Sequence, residues 1–258
     1  MDITPEDHRF AHDLAERTGA MALELRHRML SDGAPVAQVK DAGDLAAHRM
    51  LTAEIEAARP DDGLLSEEGR AAETGESRAA RLATSRTWIV DPVDGTREYA
   101  EGRVDWAVHV ALCLDGVPVV GAAPLPALGE SASTWAVPAL GDPDPRRLAA
   151  PRILVSRSRP PAEAEHLVAA LGGELLQMGS AGAKIMAVVR GDAEVYPHSG
   201  GQYEWDSAAP VAVALAAGLW CSRLDGSALT YNHEDPYLPD LLVCRPELAD
   251  RVLGALAG

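Results

Sequence analysis

Apolar residues recur at intervals of three, four and seven through the first thirty positions. Phe10, Leu14, Met21, Leu25 and Met29 share one face of a helix over "TPEDHRFAHDLAERTGAMALELRHRM". Thr4 is placed to cap that helix, Pro5 suits its first turn, and Asp7 suits its positive end. A second helix is expected from Asp44 to about Arg59, with Ala47, Leu51, Ile55 and Ala58 inward and "PDDG" ending it. "GLLSEEG" is a short apolar run that meets two glutamates, and the polar, Ala-rich residues 69–85 read as a mobile loop.

From Trp88 the period changes. "WIVDPVDGTREY" opens as a buried strand and ends in two aspartates three residues apart. Trp106, Val108, Val110, Leu112 and Leu114 alternate as a half-buried strand does, Asp115-Gly116 signals a hairpin, and "ESASTWAV" reads as a further strand. This half predicts helices packed on an antiparallel sheet. "PALGDPDPRR" reads as a linker. Beyond it, strands at 152–156, 174–178, 193–197, 219–223 and 240–245 alternate with helices at about 161–171, 181–190, 206–217 and 246–257. The expectation is a layered α/β (α+β) protein. Residues 1–140 form helices plus the antiparallel sheet and carry most candidate ligands; residues 151–258 form a smaller α/β subdomain; together they make one compact unit.

Composition narrows the class. In 258 residues, 47% are hydrophobic and 24% charged, with a single phenylalanine, so Leu, Val, Ala and Trp must fill the core. No run of about 18 apolar residues predicts a membrane span, and "MDITPEDHRF" lacks the pattern of a secretory signal. Three widely spaced cysteines (Cys113, Cys221, Cys244) in apolar runs argue for buried thiols and a reducing cytoplasm. A net charge of −16 disfavours nucleic-acid polymers and anionic membranes, and a phosphorylated ligand would need metal ions or a local basic pocket.

The candidate chemistry is a set of carboxylates: Glu67, Asp91, Asp94 and Asp206, each where a regular element stops or starts. Such a cluster repels itself unless cations neutralise it, and oxygen-only ligands, with the Val93 carbonyl among them, suit Mg²⁺. Gly95 and Thr96 open a turn whose free N–H groups can face a phosphate. Plainer readings exist for each piece alone. DG is a common turn, SEE a common surface pair, and Asp206 a common helix cap.

Taken in order, "LSEEG", "WIVDPVDGTREY" and "WDSAAPVAVALAAG" resemble the three motifs of the lithium-sensitive, magnesium-dependent sugar-phosphate phosphatases. That superfamily holds the inositol monophosphatases, fructose 1,6-bisphosphatases and 3′(2′),5′-bisphosphate nucleotidases. The resemblance runs from about Lys40 to Tyr231 and implies an α-β-α-β-α sandwich. It implies metal ligation by Glu67, Asp91, Val93, Asp94 and Asp206, with about two or three Mg²⁺. It makes Asp44, in "KDAGDLAAH", and Thr96 the catalytic pair that activates the attacking water. Many relatives carry Pro-Val-Thr before that aspartate, where this chain has Asp-Ala-Gly; the plainer reading of Asp44 is a helix cap.

Three stretches lean toward the nucleotidase (CysQ-like) branch: "VSRSRP", "GSAGAKIMAVVRGDAEVYPH" and "DGSALTYN". They imply substrate contacts from Gly95, Thr96, Arg157, Arg159, Ser180, Lys184 and His198. Arg159 stands where relatives have histidine, and His198 where they often have arginine. The plainer readings are a surface lysine for Lys184 and a strand-end residue for His198. The implied reaction is hydrolysis of 3′-phosphoadenosine 5′-phosphate to AMP and phosphate. The alternatives are an inositol monophosphatase, a fructose 1,6-bisphosphatase, or breadth across all three. The expected partner is a small phosphorylated metabolite, with no nucleic-acid polymer and no membrane, and the chain is expected to be a monomer or homodimer. A metabolite sensor would have lost a ligand carboxylate, and a Ca²⁺ module would show an EF-hand loop; neither sign is present.

Overall fold

The computed structural model describes residues 2–137 and 139–257. Two long helices open the chain, α1 (Pro5–Ser31) and α2 (Val36–Ala58). Thr4 caps α1 as the sequence predicts, and Asp7 completes a reciprocal cap by accepting from the Thr4 N–H. The buried stripe of α1 differs from the predicted one. It is Asp7, Ala11, Leu14, Ala15, Thr18, Gly19, Ala22 and Arg26, while Phe10, Met21 and Leu25 lie half-buried at its flanks. Small residues along the centre let the helix axis approach the sheet, and the larger side chains wrap around its sides.

Helix α2 begins eight residues before the expected start, at Val36 after Pro35. Asp44 is therefore an interior helical residue, buried at 8% exposure, and not a cap. Ala47, Leu51 and Ile55 face inward as predicted, whereas Ala58 is exposed. The expected mobile loop at 69–85 is also ordered. It holds a short 3₁₀ turn and α3 (Gly75–Leu82), capped reciprocally by Thr74 and Ser77. Arg81 of α3 is buried and donates to the Glu73 carboxylate and the Asn232 side chain.

The first sheet runs β1 (Gly63–Ser66), β2 (Arg86–Asp94), β3 (Ala107–Leu114), β4 (Val117–Ala122), in that spatial order. Strands β2, β3 and β4 are antiparallel; β1 joins β2 in parallel, so the sheet is mixed. The β3–β4 hairpin turns at Asp115-Gly116, both at positive φ. "ESASTWAV" forms no strand. It contributes only isolated bridges, Ala122 with Ser133 and Leu125 with Glu130. Strand β3 is buried on both faces, not one. Val108, Val110 and Leu112 pack under α1 and α2, while Ala111 and Cys113 face a second helix layer. The small residues that look like an exposed face in the sequence are the floor for that layer.

Of the expected linker, Pro138 lies outside the described residues, and α5 (Pro145–Ala149), capped by Asp144, closes the segment. The second sheet has the order β6-β5-β7-β9-β8, built from β5 (Arg152–Ser156), β6 (Glu174–Met178), β7 (Val195–Tyr203), β8 (Trp220–Ser222) and β9 (Tyr237–Cys244). Helices α7 (Ala181–Arg190) and α8 (Glu204–Ala216) lie between the two sheets, and α6 (Ala164–Leu171) and α9 (Ala249–Leu256) cover the far side. The layers are α-β-α-β-α. The cysteines are free thiols in β3, β8 and β9. No described helix is long and apolar enough to cross a membrane.

One buried ion cluster anchors β2 at its entry. Arg86 donates to Asp7 of α1 and to Asp62 of the α2–β1 turn, both at 3.0 Å, and the Trp88 indole donates to Asp62 at 2.8 Å. Arg86→Met is expected to leave two buried carboxylates short of a partner and to destabilise the protein by about 3–5 kcal/mol. Urea unfolding checks this; a loss under about 1 kcal/mol would mean that Arg86 is a dispensable surface-type pair.

Candidate metal and phosphate site

Three segments meet at one end of the middle helix layer: the end of β2 and the N-termini of α7 and α8. Asp91 and Asp94 come from the first, Asp206 from the third, and their carboxylate oxygens lie within 4.8 Å of one another. They line a cleft of about 540 Å³ together with Glu67, Val93, Gly95, Thr96, Arg159, Ser180, Lys184 and His198.

Each aspartate is held by backbone N–H groups. Val93 N–H donates to Asp91 at 3.1 Å, and Tyr203 N–H to Asp206 at 2.6 Å. Asp206 thus caps α8 from inside its first turn while also facing the cleft, so the plain reading and the chemical reading of this residue hold together. Asp94 sits at the N-terminus of α7, where the Ser180 hydroxyl, Ala181 N–H (3.2 Å) and Gly182 N–H (2.6 Å) all donate to it. The positive end of that helix is directed at the carboxylate. Gly182 is required for the approach, because a Cβ there would collide with the His109 ring.

Burial and the neighbouring carboxylates hold Asp91 and Asp206 well above the ordinary carboxylate range. The same causes push Glu67 up to about 7, and Asp44, near Glu67 and Glu68, up to about 8. Among the described residues neither Asp91 nor Asp206 has a cationic side chain as a salt-bridge partner. A deficit of positive charge with an all-oxygen donor set fits a hard divalent cation. Asp91, Asp94 and Asp206 would hold it, with Glu67 beside them on the cleft wall.

Of the expected substrate contacts, one lies off the cleft and two line it with their polar atoms already engaged. Arg157 does not line the cleft; its guanidinium is paired with Glu98 at 2.7 Å and Glu101 at 3.3 Å. Lys184 lines the cleft but is no surface lysine. It is 3% exposed, its ammonium donates to the Gly179 and Ser180 carbonyls, and burial lowers its pKa to about 8. Its charge therefore holds the turn that presents α7 to Asp94. His198 lines the cleft as a neutral ring. Its Nε2–H donates to the Gly200 carbonyl, Nδ1 accepts from the Tyr196 hydroxyl, and burial lowers its pKa to about 4. Arg159 lines the cleft, is exposed, and makes no salt bridge among the described residues. Asp44 lies on α2, which packs against α4 (Thr96–Ala100), the helix that Thr96 begins.

Two residues escape the sequence reading. His109 is fully buried in β3, with Nδ1–H donating to the Trp205 carbonyl at 3.0 Å and Nε2 at 3.4 Å from Asp94. Its signal is one polar residue inside "AVHVALCL". Gln202 lines the cleft just upstream of Asp206, and the Gly-Gly before it is its signal.

This fold, with its acidic cleft between paired layers, is that of the metal-dependent small-molecule phosphatases. The chain belongs to the inositol monophosphatase family, which it matches over residues 9–256. Among its relatives, the 3′-phosphoadenosine 5′-phosphate phosphatase of Mycobacterium tuberculosis is 47% identical, over 84% of this chain and 81% of that protein. The protein of the same name from Mycobacterium leprae is 44% identical, over 97% and 93%. The solved structure of CysQ from Bacteroides thetaiotaomicron superposes with a TM-score of 0.73 at 26% identity, covering 93% of this chain and 97% of that one.

The raised carboxyl groups set a pH dependence for the metal-free protein. A group whose pKa is higher folded than unfolded stabilises the fold at low pH and loses that contribution as pH rises through its folded value. In EDTA, Tm is therefore expected to fall between about pH 5 and about pH 9, as Glu67 and Asp44 ionise through about 7 and about 8. Saturating Mg²⁺ is expected to flatten the slope. A metal-free Tm that is level or rising across that range would contradict the charge crowding described above.

Proposed function

We propose that the protein hydrolyses the 3′-phosphate of 3′-phosphoadenosine 5′-phosphate, releasing AMP and inorganic phosphate, with Mg²⁺ bound by Asp91, Asp94 and Asp206 and assisted by Glu67 and the Val93 carbonyl. The observation that carries this is the meeting of three carboxylates, two buried and one half-buried, on a cleft that the exposed Arg159 also lines. The names of the mycobacterial relatives support the choice of nucleotide.

When bound, the Mg²⁺ ions supply Lewis acidity and neutralise phosphoryl charge. The protein's own groups do the positioning. Gly95 and Thr96, at the start of α4, face the cleft and offer backbone donors to the phosphate. Thr96 orients the attacking water, and Asp44 accepts its proton. The water oxygen bonds to phosphorus, the bond from phosphorus to the ribose 3′ oxygen breaks, and that oxygen takes up a proton. No side-chain nucleophile is required. Arg159 supplies the charge for the second phosphate, a role for which the sequence alone favours Lys184, with Arg157 and Arg159 as a flanking wall. Ser180 and Lys184 act indirectly, by fixing the turn that clamps Asp94. Three free cysteines support a reducing, cytoplasmic setting.

Phosphate release in Mg²⁺ from a panel of bisphosphate nucleotide, inositol 1-phosphate and fructose 1,6-bisphosphate tests the assignment; preference for either sugar phosphate would replace it. Asp94→Asn is expected to fold and to lose Mg²⁺-dependent turnover, and millimolar Li⁺ to inhibit the wild type. Arg159→Ala is expected to lower kcat/KM for 3′-phosphoadenosine 5′-phosphate by roughly 10- to 150-fold, the worth of one charge-assisted phosphate contact. On inositol 1-phosphate, which has no second phosphate, the change should be small. Lys184→Ala, in contrast, should impair both substrates, and selective loss on the bisphosphate would restore Lys184 as a direct ligand.

A further inference from the structure

Gln202 is 1% exposed, and neither the oxygen nor the nitrogen of its amide has a hydrogen-bond partner. Among the described residues it is the one side chain with two such orphaned atoms. A buried donor and acceptor left unpaired cost free energy, and native structures carry few of them without a reason. Gln202 also forms part of the wall of the 540 Å³ cleft.

The backbone puts it there by a specific device. Strands β7 and β9 pair regularly as far as Ser199 with Asp240, and pairing resumes at Gln202 with Leu238. That is three steps along β7 against two along β9, so β7 carries one extra residue. Gly200 and Gly201, at φ of 74° and 69°, form the bulge. A bulge reverses the in–out alternation of the strand beyond it, and such bulges recur beside active sites. The same turn draws in Arg159: a Cβ at Gly201 would stand 3.0 Å from its Nη1. His198, just before the bulge, already uses both ring nitrogens on Tyr196 and Gly200. Gln202 is thus a buried, uncommitted polar group on this wall, next to the arginine assigned to the second phosphate.

A glutamine amide presents a donor and an acceptor side by side, the pattern that pairs with the 6-amino group of adenine and an adjacent ring nitrogen. We propose that Gln202 recognises the adenine edge of the nucleotide, its carbonyl accepting from the 6-amino group and its N–H₂ donating to the ring. This rests on the nucleotidase reading. It adds what the metals cannot supply, discrimination by the base. The amide stays unpaired in the ligand-free protein because its partner is the ligand.

The test is calorimetric binding, in Mg²⁺, of AMP and of purine riboside 5′-monophosphate, which lacks the 6-amino group, to wild type and to Gln202→Met. Wild type is expected to favour AMP by roughly 5- to 150-fold, the worth of one base-edge pair, and the variant to bind the two nearly alike. The ligand-free variant should also melt higher, by roughly 2–8 °C, because an apolar side chain of similar size replaces two buried unsatisfied atoms. Equal weakening of both nucleotides would place Gln202 on the ribose or phosphate and overturn the proposal. So would a discrimination ratio unchanged in the variant, or a lower Tm, which would make Gln202 a structural residue. Phosphate release by the wild type separates the two levels. Turnover of 3′-phosphoadenosine 5′-phosphate with no AMP preference sinks the base contact alone, and absence of both turnover and AMP binding sinks the nucleotidase reading with it.

Discussion

The structure depends on keeping three like charges together out of water. Asp91, Asp94 and Asp206 approach within 4.8 Å, and burial penalises ionisation of Asp91 and Asp206. Each is stabilised by the nearest available dipole: the Val93 N–H of β2 for Asp91, the opening turn of α8 for Asp206, and the N-terminus of α7 for Asp94. These dipoles soften the repulsion without cancelling it, which is why the proton affinities of Asp91 and Asp206 stay high. The remaining imbalance is what a divalent cation would complete.

Much of the surrounding architecture follows from that requirement. The two helices that supply the dipoles must enter between the sheets with their N-termini converging on the end of β2. That is possible because β3 shows α8 a face of Ala111 and Cys113, and because Gly182 lets α7 come up to His109. His109 in turn ties the first sheet to α8 through the Trp205 carbonyl and stands next to Asp94. The central layer is thus positioned by small residues on both sides, and one polar side chain crosses it at the site.

The cations nearby are divided by function according to whether they are already paired. Lys184 holds two carbonyls of the turn before α7, and Arg157 is held by Glu98 and Glu101. Arg159 has no such partner; it is exposed and lines the cleft together with Arg97, which is paired with Glu101. Electrostatic complementarity there comes from position and not from composition.

Much of this was legible in the sequence, and the division has a physical basis. The caps of α1, the Asp-Gly hairpin, the strands at 152–156 and 174–178, and the Asp-x-x-Asp-Gly turn all arise from interactions within a few residues. Local periodicity and turn chemistry therefore announce them, and three such signals in order were enough to suggest the family. Where a signal depends on what packs against it, the sequence misled. The alternation of β3 suggests one exposed face, but a helix layer from the other half of the chain covers it. Residues 69–85 look like a loop, but a capping pair and a buried Arg81 bound to Asn232 order them. Arg157, Arg159 and Lys184 look alike as cations until Glu98, distant in sequence, pairs with Arg157 and the folded turn before α7 turns the Gly179 carbonyl to Lys184. The carboxylates' kinds and order were determined by the chain itself. Their convergence, and the partners left for Arg159 and Gln202, were decided only when segments more than a hundred residues apart were brought to one cleft, because hydrogen bonding and desolvation act through space and are not written in the neighbouring residues.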